Sequence, residues 1–275
     1  MSRTESAYYD YMRYDRDHSR AVLAHYVPFF ADAAPVLELG SGRGEFLDLL
    51  RAAGITASGV DSDEGMVDAT RAAGLDVVLG DGIAHLESVE PESLGGVFCA
   101  HFIEHLEPPV AARLLTAVRR GLRSGGAFVA VVPNAACLAV LTRDFWRDPT
   151  HVRFYDPDLI GFLCTDAGLH VVESGTNPAN YGGPPPGTDA VPPVVHEPLT
   201  AEVALAIREA TPEKPPKRRG GEGQLTEIGR LGHVISVLAE RLTETQEQLR
   251  ALHFAHSKLL DALYQPNEVY VVARG

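Results

Sequence analysis

The 275-residue chain has only three cysteines, Cys99, Cys137 and Cys164, and no C-x-x-C pair. That scarcity excludes a disulfide framework and a cysteine-based zinc site, and fits reduced thiols in or near a core. No run of eighteen apolar residues occurs, and the polar, aromatic stretch Met1 to Tyr14 has no apolar core of a secretory signal. The expectation is a cytoplasmic protein without a transmembrane segment. Cationic residues are also few: 24 Lys and Arg stand against 37 Asp and Glu, a formal charge of −13. A surface of that sign repels duplex nucleic acid and anionic membranes, so neither is an expected partner. The 45% of hydrophobic residues suffices for one large domain, or one domain plus an appendage.

What is present is organised around Val36-Leu37-Glu38-Leu39-Gly40-Ser41-Gly42-Arg43-Gly44-Glu45-Phe46, with Gly59-Val60-Asp61 about twenty residues on. A short apolar run reads as a buried strand, and three alternate glycines then open an amphipathic segment. Such a loop lets the backbone turn tightly and approach a ligand, and the helix after it presents free N–H groups. Asp61, at the end of the next apolar run, is placed to accept hydrogen bonds from a ribose diol. The spacing G-x-G-x-G departs from the dinucleotide fingerprint G-x-G-x-x-G and disfavours a nicotinamide dehydrogenase. Glu38-x-Gly40-x-Gly42-x-Gly44 resembles motif I of class I S-adenosylmethionine (SAM) methyltransferases.

Along the chain, residues 7–31 read as helix, and Tyr8, Tyr9, Tyr11 and Tyr14 with Arg13 and Arg16 suit either a capping segment or a lid. Strands are expected at 57–61, 76–81, 94–100, 127–132 and 169–174, with helices near 46–53, 64–73 and 109–122. This alternation predicts a parallel sheet covered on both faces. From Pro178 to Gly223 lie ten of the nineteen prolines, a composition with little capacity for a core. Leu225 to Leu263 then places apolar residues at alternating spacings of three and four, broken only by Thr245 and His256. That seam predicts a long coiled-coil helix, suited to homo-oligomerisation. The resemblance implies a Rossmann-like α/β sheet of seven strands, the last of them (Val269 to Ala273) antiparallel between strands five and six. The expected domains are 1–177 with 266–275, an inserted Pro/Gly-rich segment 178–223, and the helix 224–265.

Two stretches carry candidate chemistry. His101-Phe102-Ile103-Glu104-His105 follows strand four, at the carboxyl edge where open α/β sheets bind ligands. It matches the inverted zincin pattern H-x-x-E-H, but that motif needs a helix rather than a strand end. Here His101, Glu104 and His105 are candidates for base, helix cap (Glu104) or metal ligand. The second stretch is Asp144 to Tyr155, just after strand five. Asp148-Pro149-Thr150-His151 either caps a helix starting near Asp158 or forms an acceptor site. In the latter, Trp146 and Tyr155 stack on a sugar face, Arg147 and Arg153 hold polar groups, and His151 takes a hydroxyl proton. Alternatively His151 completes a metal site with the first stretch.

The order Arg13-Tyr14-x-Arg16, the glycine loop, Gly59-Val60-Asp61, His101-x-Ile103-Glu104-His105 and Asp148-Pro149-Thr150-His151-Val152-Arg153 is similar to methyltransferases of bacterial surface-glycan assembly, including the O-antigen chain-terminating type. The resemblance implies SAM as methyl donor. Arg16, Glu38, Gly40, Ser41, Gly42, Gly44 and Phe46 would line it, with the glycines at its methionine end. Asp61, Ser62 and Met66 would serve its ribose side, and Asp81, Gly82 and Ile83 its adenine. Ala100 and His101 would flank the sulfonium, and Tyr14 the acceptor. A divalent metal such as Mg is an open alternative at the histidines. The implied reaction is O-methylation of a sugar in a glycan, oligosaccharide or glycosylated metabolite, in company with glycan-assembly enzymes. The chain departs from the chain terminators in lacking a kinase pattern and in placing its coiled coil before a final strand. A natural-product methyltransferase and a coiled-coil scaffold with a vestigial SAM fold are the competing readings.

Overall fold

The computed structural model describes residues 15–183 and 222–275, with side chains in the second stretch from Gly232 on. The chain divides into two compact units, one of residues 1–183 with 263–275 and one of residues 184–262.

The first unit begins with α1 (Arg16–Leu23), which tightens into a 3-10 helix over Ala24–Phe30 that contains Pro28. Proline has no N–H to return to the carbonyl four residues back, so an expected α-helix to residue 31 gives way to the tighter form. Strands and helices then alternate: β1 (Val36–Leu39), α2 (Glu45–Ala52), β2 (Ala57–Asp61), α3 (Glu64–Ala72), β3 (Val77–Leu79), α4 (Gly82–Ser88), β4 (Leu94–Ala100), α5 (Pro108–Gly121), β5 (Leu122–Pro133), α6 (Pro157–Asp166), β6 (His170–Thr176) and, at the end, β7 (Glu268–Arg274). The expected strand at 76–81 shrinks to three residues because Asp81 leaves it to cap α4, accepting from the Ala84 N–H at 2.7 Å.

The seven strands form one sheet in the order β3-β2-β1-β4-β5-β7-β6. Strands β1 to β5 pair in parallel, and β7 runs antiparallel between β5 and β6, as expected. Side chains alternate across the sheet at the period of two that a strand imposes. Val269, Val271 and Ala273 of β7 join one core with Leu114, Leu115 and Val118 of α5 and Cys164 of α6. Tyr270 and Val272 join the other with Tyr26, Phe30, Phe46 and Leu50. The three cysteines are buried free thiols.

The second unit contributes α7 (Glu222–Leu263), one continuous helix. Ile235, Leu238, Leu242, Leu249, Leu252 and Leu259, all on the heptad seam, are exposed. Among the described residues no helix is long and apolar enough to cross a membrane.

Candidate active site

The carboxyl edge of β1, β4 and β5 opens on a cavity of about 510 Å³. One wall is the loop after β1. Gly42 has a φ of +51° with nothing within 4 Å of where a Cβ would sit, so the loop presents bare backbone there. Its N–H donates to Asp61 Oδ2 at 2.8 Å, and Asp61 Oδ1 accepts from the Asp63 N–H at 2.9 Å. Asp61 therefore ties the end of β2 to the glycine loop. Burial raises its pKa, and the N–H bonds from Asp63 and Gly42 oppose that rise. Gly44 does a different job from the one expected of it. At φ +77°, an added Cβ would lie 2.8 Å from both Thr70 and Leu75, so this glycine admits α3 against the loop and does not line the cavity.

Glu38, second from the end of β1, projects into the same wall. Burial, then Glu45 and then Asp61, pushes its carboxyl well above the usual carboxylate range. Its Oε2 and the Ser41 Oγ are buried without a hydrogen-bond partner. Glu45, one turn further, ion-pairs with Arg43 at 2.8 Å and with Arg16 at 3.4 Å. Arg16 thus holds α1 to α2 and is not among the residues that line the cavity.

The opposite wall begins where β4 ends. His101 takes a left-handed φ of +52°, which swings its ring between two buried carboxylates. Nδ1 lies 3.2 Å from Glu104 Oε1, and Nε2 lies 3.3 Å from Glu268 Oε2. Desolvation lowers the imidazole pKa, but the two carboxylates outweigh it and push the ring up to about 10. With a carboxylate against each ring nitrogen, the imidazolium form of His101 has no lone pair to offer as a base. Nor does Glu104 cap a helix: its carboxylate is fully buried against His101, and its carbonyl accepts from the Val152 N–H at 2.8 Å.

Glu268, which opens β7, is a site residue that the strand pattern concealed. Besides His101, it accepts from Tyr26 at 2.5 Å, Asn177 at 2.8 Å and Asn180 at 2.6 Å. Burial would raise its pKa, yet these bonds, led by His101, hold it below the usual range. A carboxylate at the head of an otherwise apolar strand was the only sequence signal for it.

The loop after β5 supplies two further imidazoles. His151 Nδ1 donates to the Phe145 carbonyl at 2.6 Å. Thr150 Oγ1 donates to Asp148 Oδ1 at 2.6 Å and therefore accepts from His105 Nδ1 at 2.9 Å. In their neutral forms both rings then carry a bare Nε2. The ring centroids are 4.8 Å apart, and both side chains line the cavity. Asp148 also accepts from the Thr150 N–H at 2.8 Å, closing the loop on itself, while Asp156 caps α6. The alternative of Asp148 as the cap of that helix is thereby corrected.

The aromatic platform expected for an acceptor sugar is not assembled. Tyr155 is buried in the core under α5 and α6, with its hydroxyl donating to the Leu106 carbonyl at 2.8 Å. Trp146 is 64% exposed, donates to the Leu141 carbonyl and lies off the cavity lining. Arg153 sits with its guanidinium 5.1 Å above the Tyr155 ring. Arg147 does line the cavity, beside Asp144 and Asp148. Tyr14 lies outside the described residues. Ala100, Phe46, Gly40 and Ser41 line the cavity; Ser62, Met66, Asp81, Gly82 and Ile83 do not. Met66 is buried, and Gly82 faces the Phe102 ring, 3.2 Å from where its Cβ would sit.

A family model described as a methyltransferase domain matches residues 11–174, more than half of the chain. The chain belongs to that family. Among solved structures, this methyltransferase is similar to a SAM-dependent methyltransferase from Archaeoglobus fulgidus, at 24% identity over 98% of each chain with a TM-score of 0.67. It is also similar to the putative methyltransferase that forms a complex with a methyltransferase activator of Haloferax volcanii. There the identity is 15% over 94% of this chain and 90% of that one, and the TM-score is 0.53. No curated protein matches the chain. The methyltransferase uses SAM, and its own residues fit that cofactor. A cationic amine at the Glu38 wall would satisfy the orphaned Glu38 Oε2 and Ser41 Oγ and relieve the crowding of Glu38, Glu45 and Asp61.

Proposed function

We propose that this methyltransferase modifies a hydroxyl group of a sugar, in a glycan, oligosaccharide or glycosylated metabolite. The observation that carries the reading is the polarity of the cavity opposite the glycine loop. Asp144, Arg147, Asp148, His151, Asn180 and Asn267 line it, with Val140 and Phe145 among them. Such polar groups suit hydrogen bonding to a polyhydroxylated ring, beside the two apolar side chains. SAM, when bound, supplies a methyl group on an electrophilic sulfonium. What remains for the protein is to hold the acceptor oxygen in line and to remove its proton. The bare Nε2 atoms of His105 and His151 are proposed to take the proton where they hold no metal ion, and the His101–Glu268–Asn180 network to hold that wall rigid.

Incubation with methyl-labelled SAM and separate pools of oligosaccharides, glycosylated metabolites, phenols and carboxylic acids tests the reading. Label in a sugar ether is expected. Label confined to phenols or carboxylates would sink it in favour of the natural-product reading. The second unit is proposed to join two chains through the α7 seam, in keeping with its row of exposed leucines.

A further inference from the structure

Glu104, His105 and His151 each place a possible metal-ligating atom within 4.8 Å of the others. Three independent observations suggest what the cluster is for. Both Nδ1 atoms are committed, His105 to Thr150 and His151 to the Phe145 carbonyl, so each ring keeps Nε2 as its donor. Glu104 is fully buried and gives Oε1 to His101, while its Oε2 has no hydrogen-bond partner. Both histidines line the cavity, which provides an entry path from solvent. Asp148, which fixes Thr150 and so His105, approaches His151 Nε2 at 3.9 Å and closes the outer layer.

We infer that His105, His151 and Glu104 form a binding site for one divalent transition-metal ion on the acceptor side of the cavity. The donor set selects the ion class. Two imidazoles and one carboxylate suit zinc, cobalt, nickel or iron, whereas magnesium and calcium favour oxygen ligands. A metal–ligand bond of about 2.1 Å separates neighbouring ligands by roughly 3.0–3.5 Å, so binding draws the three side chains together. Glu104 lies behind the cavity lining, so water or acceptor would reach the ion from the side of His105 and His151. The site rests on these side chains alone and stands whichever acceptor the enzyme takes. If the acceptor is a hydroxyl, coordination would acidify it, and its proton would leave to solvent rather than to an imidazole.

Titration of the metal-free protein with Co²⁺, followed by visible absorption of the bound ion and by calorimetry, tests the inference. One ion per chain is expected. His105→Ala and His151→Ala should each weaken binding at least tenfold, whereas His170→Ala, on the exposed face of β6, should leave it unchanged. SAM binding, measured in parallel, should survive in all three variants. Absence of Co²⁺ binding in the wild type would overturn the site, as would undiminished binding in both cavity variants. Should an alanine variant lose SAM binding as well, His105→Asn and His151→Asn repeat the comparison with less loss of volume. In either overturning case intact SAM binding and methyl transfer leave the sugar reading untouched.

Discussion

At the scale of single residues, the His101–Glu268 contact links the site to stability. His101 has a folded pKa of about 10 against an ordinary 6.5, so its contribution is complete below pH 6.5 and is lost as pH rises through about 10. Glu268 is shifted down from an ordinary 4.5, so its contribution is present above that pH and fades on acidification through its lowered value. Stability from this pair therefore plateaus between about pH 4.5 and 6.5 and declines on the alkaline side. The His101 side chain is 46% exposed, and solvent screening limits the alkaline loss to about 1 kcal/mol. Urea unfolding at pH 6 and pH 10 should show that loss in the wild type and not in His101→Gln. An equal decline in both proteins would mean that His101 is uncoupled from folding. None of this was legible in the sequence, because His101 and Glu268 lie 167 positions apart and meet only when β7 enters the sheet.

At the scale of elements, Asp81 serves a helix, and the adenine role expected of it can be tested separately. Its carboxylate caps α4 through the Ala84 N–H. Removing such a cap costs about 1 kcal/mol, whereas asparagine caps nearly as well. Asp81→Ala should therefore melt at a lower temperature and Asp81→Asn should not. If Asp81 also serves adenine, both variants should bind SAM several-fold more weakly by calorimetry; unchanged affinity in both would reduce Asp81 to a cap. The α7 seam permits a second test. Leu238 and Leu242 are 60% and 49% exposed, and burying such side chains between two helices stabilises by about 1.5–3 kcal/mol each. Light scattering should report a dimer for the wild type and a monomer for Leu238→Lys combined with Leu242→Lys, with SAM binding retained in both. The glycine loop, the alternating strands and the heptad seam were legible because each is a local period. Tyr155 was not legible for the opposite reason: an aromatic residue has the same identity in a core and in a sugar site, and only its neighbours decide.

At the scale of the whole molecule, β7 closes a sheet that the preceding residues leave open. Val269, Tyr270, Val271, Val272 and Ala273 are all buried, on both faces. Losing the four large side chains among them forfeits roughly 6–12 kcal/mol, a figure comparable to the entire stability of a domain. A chain truncated after Gly175 should therefore be insoluble. A chain in which residues 184–262 are replaced by a short Gly-Ser linker should fold and bind SAM, since those residues form a unit of their own. Far-ultraviolet circular dichroism and SAM calorimetry compare the two. A soluble, SAM-binding truncation would show that β7 is dispensable.

The sequence by itself determined the layered α/β sheet, the glycine loop with its acidic strand end, and the long amphipathic helix. Each is written in spacings of a few residues, and backbone geometry turns such spacings into elements without reference to the rest of the chain. Only the tertiary structure decided which polar side chains share the cavity. It brought Glu268, held by Asn180 and Tyr26, to His101, set His105 beside His151 near Glu104, and took Tyr155 and Gly44 away for packing. Those outcomes depend on which distant segments the sheet order makes neighbours, and a buried polar group takes whatever partner that order supplies.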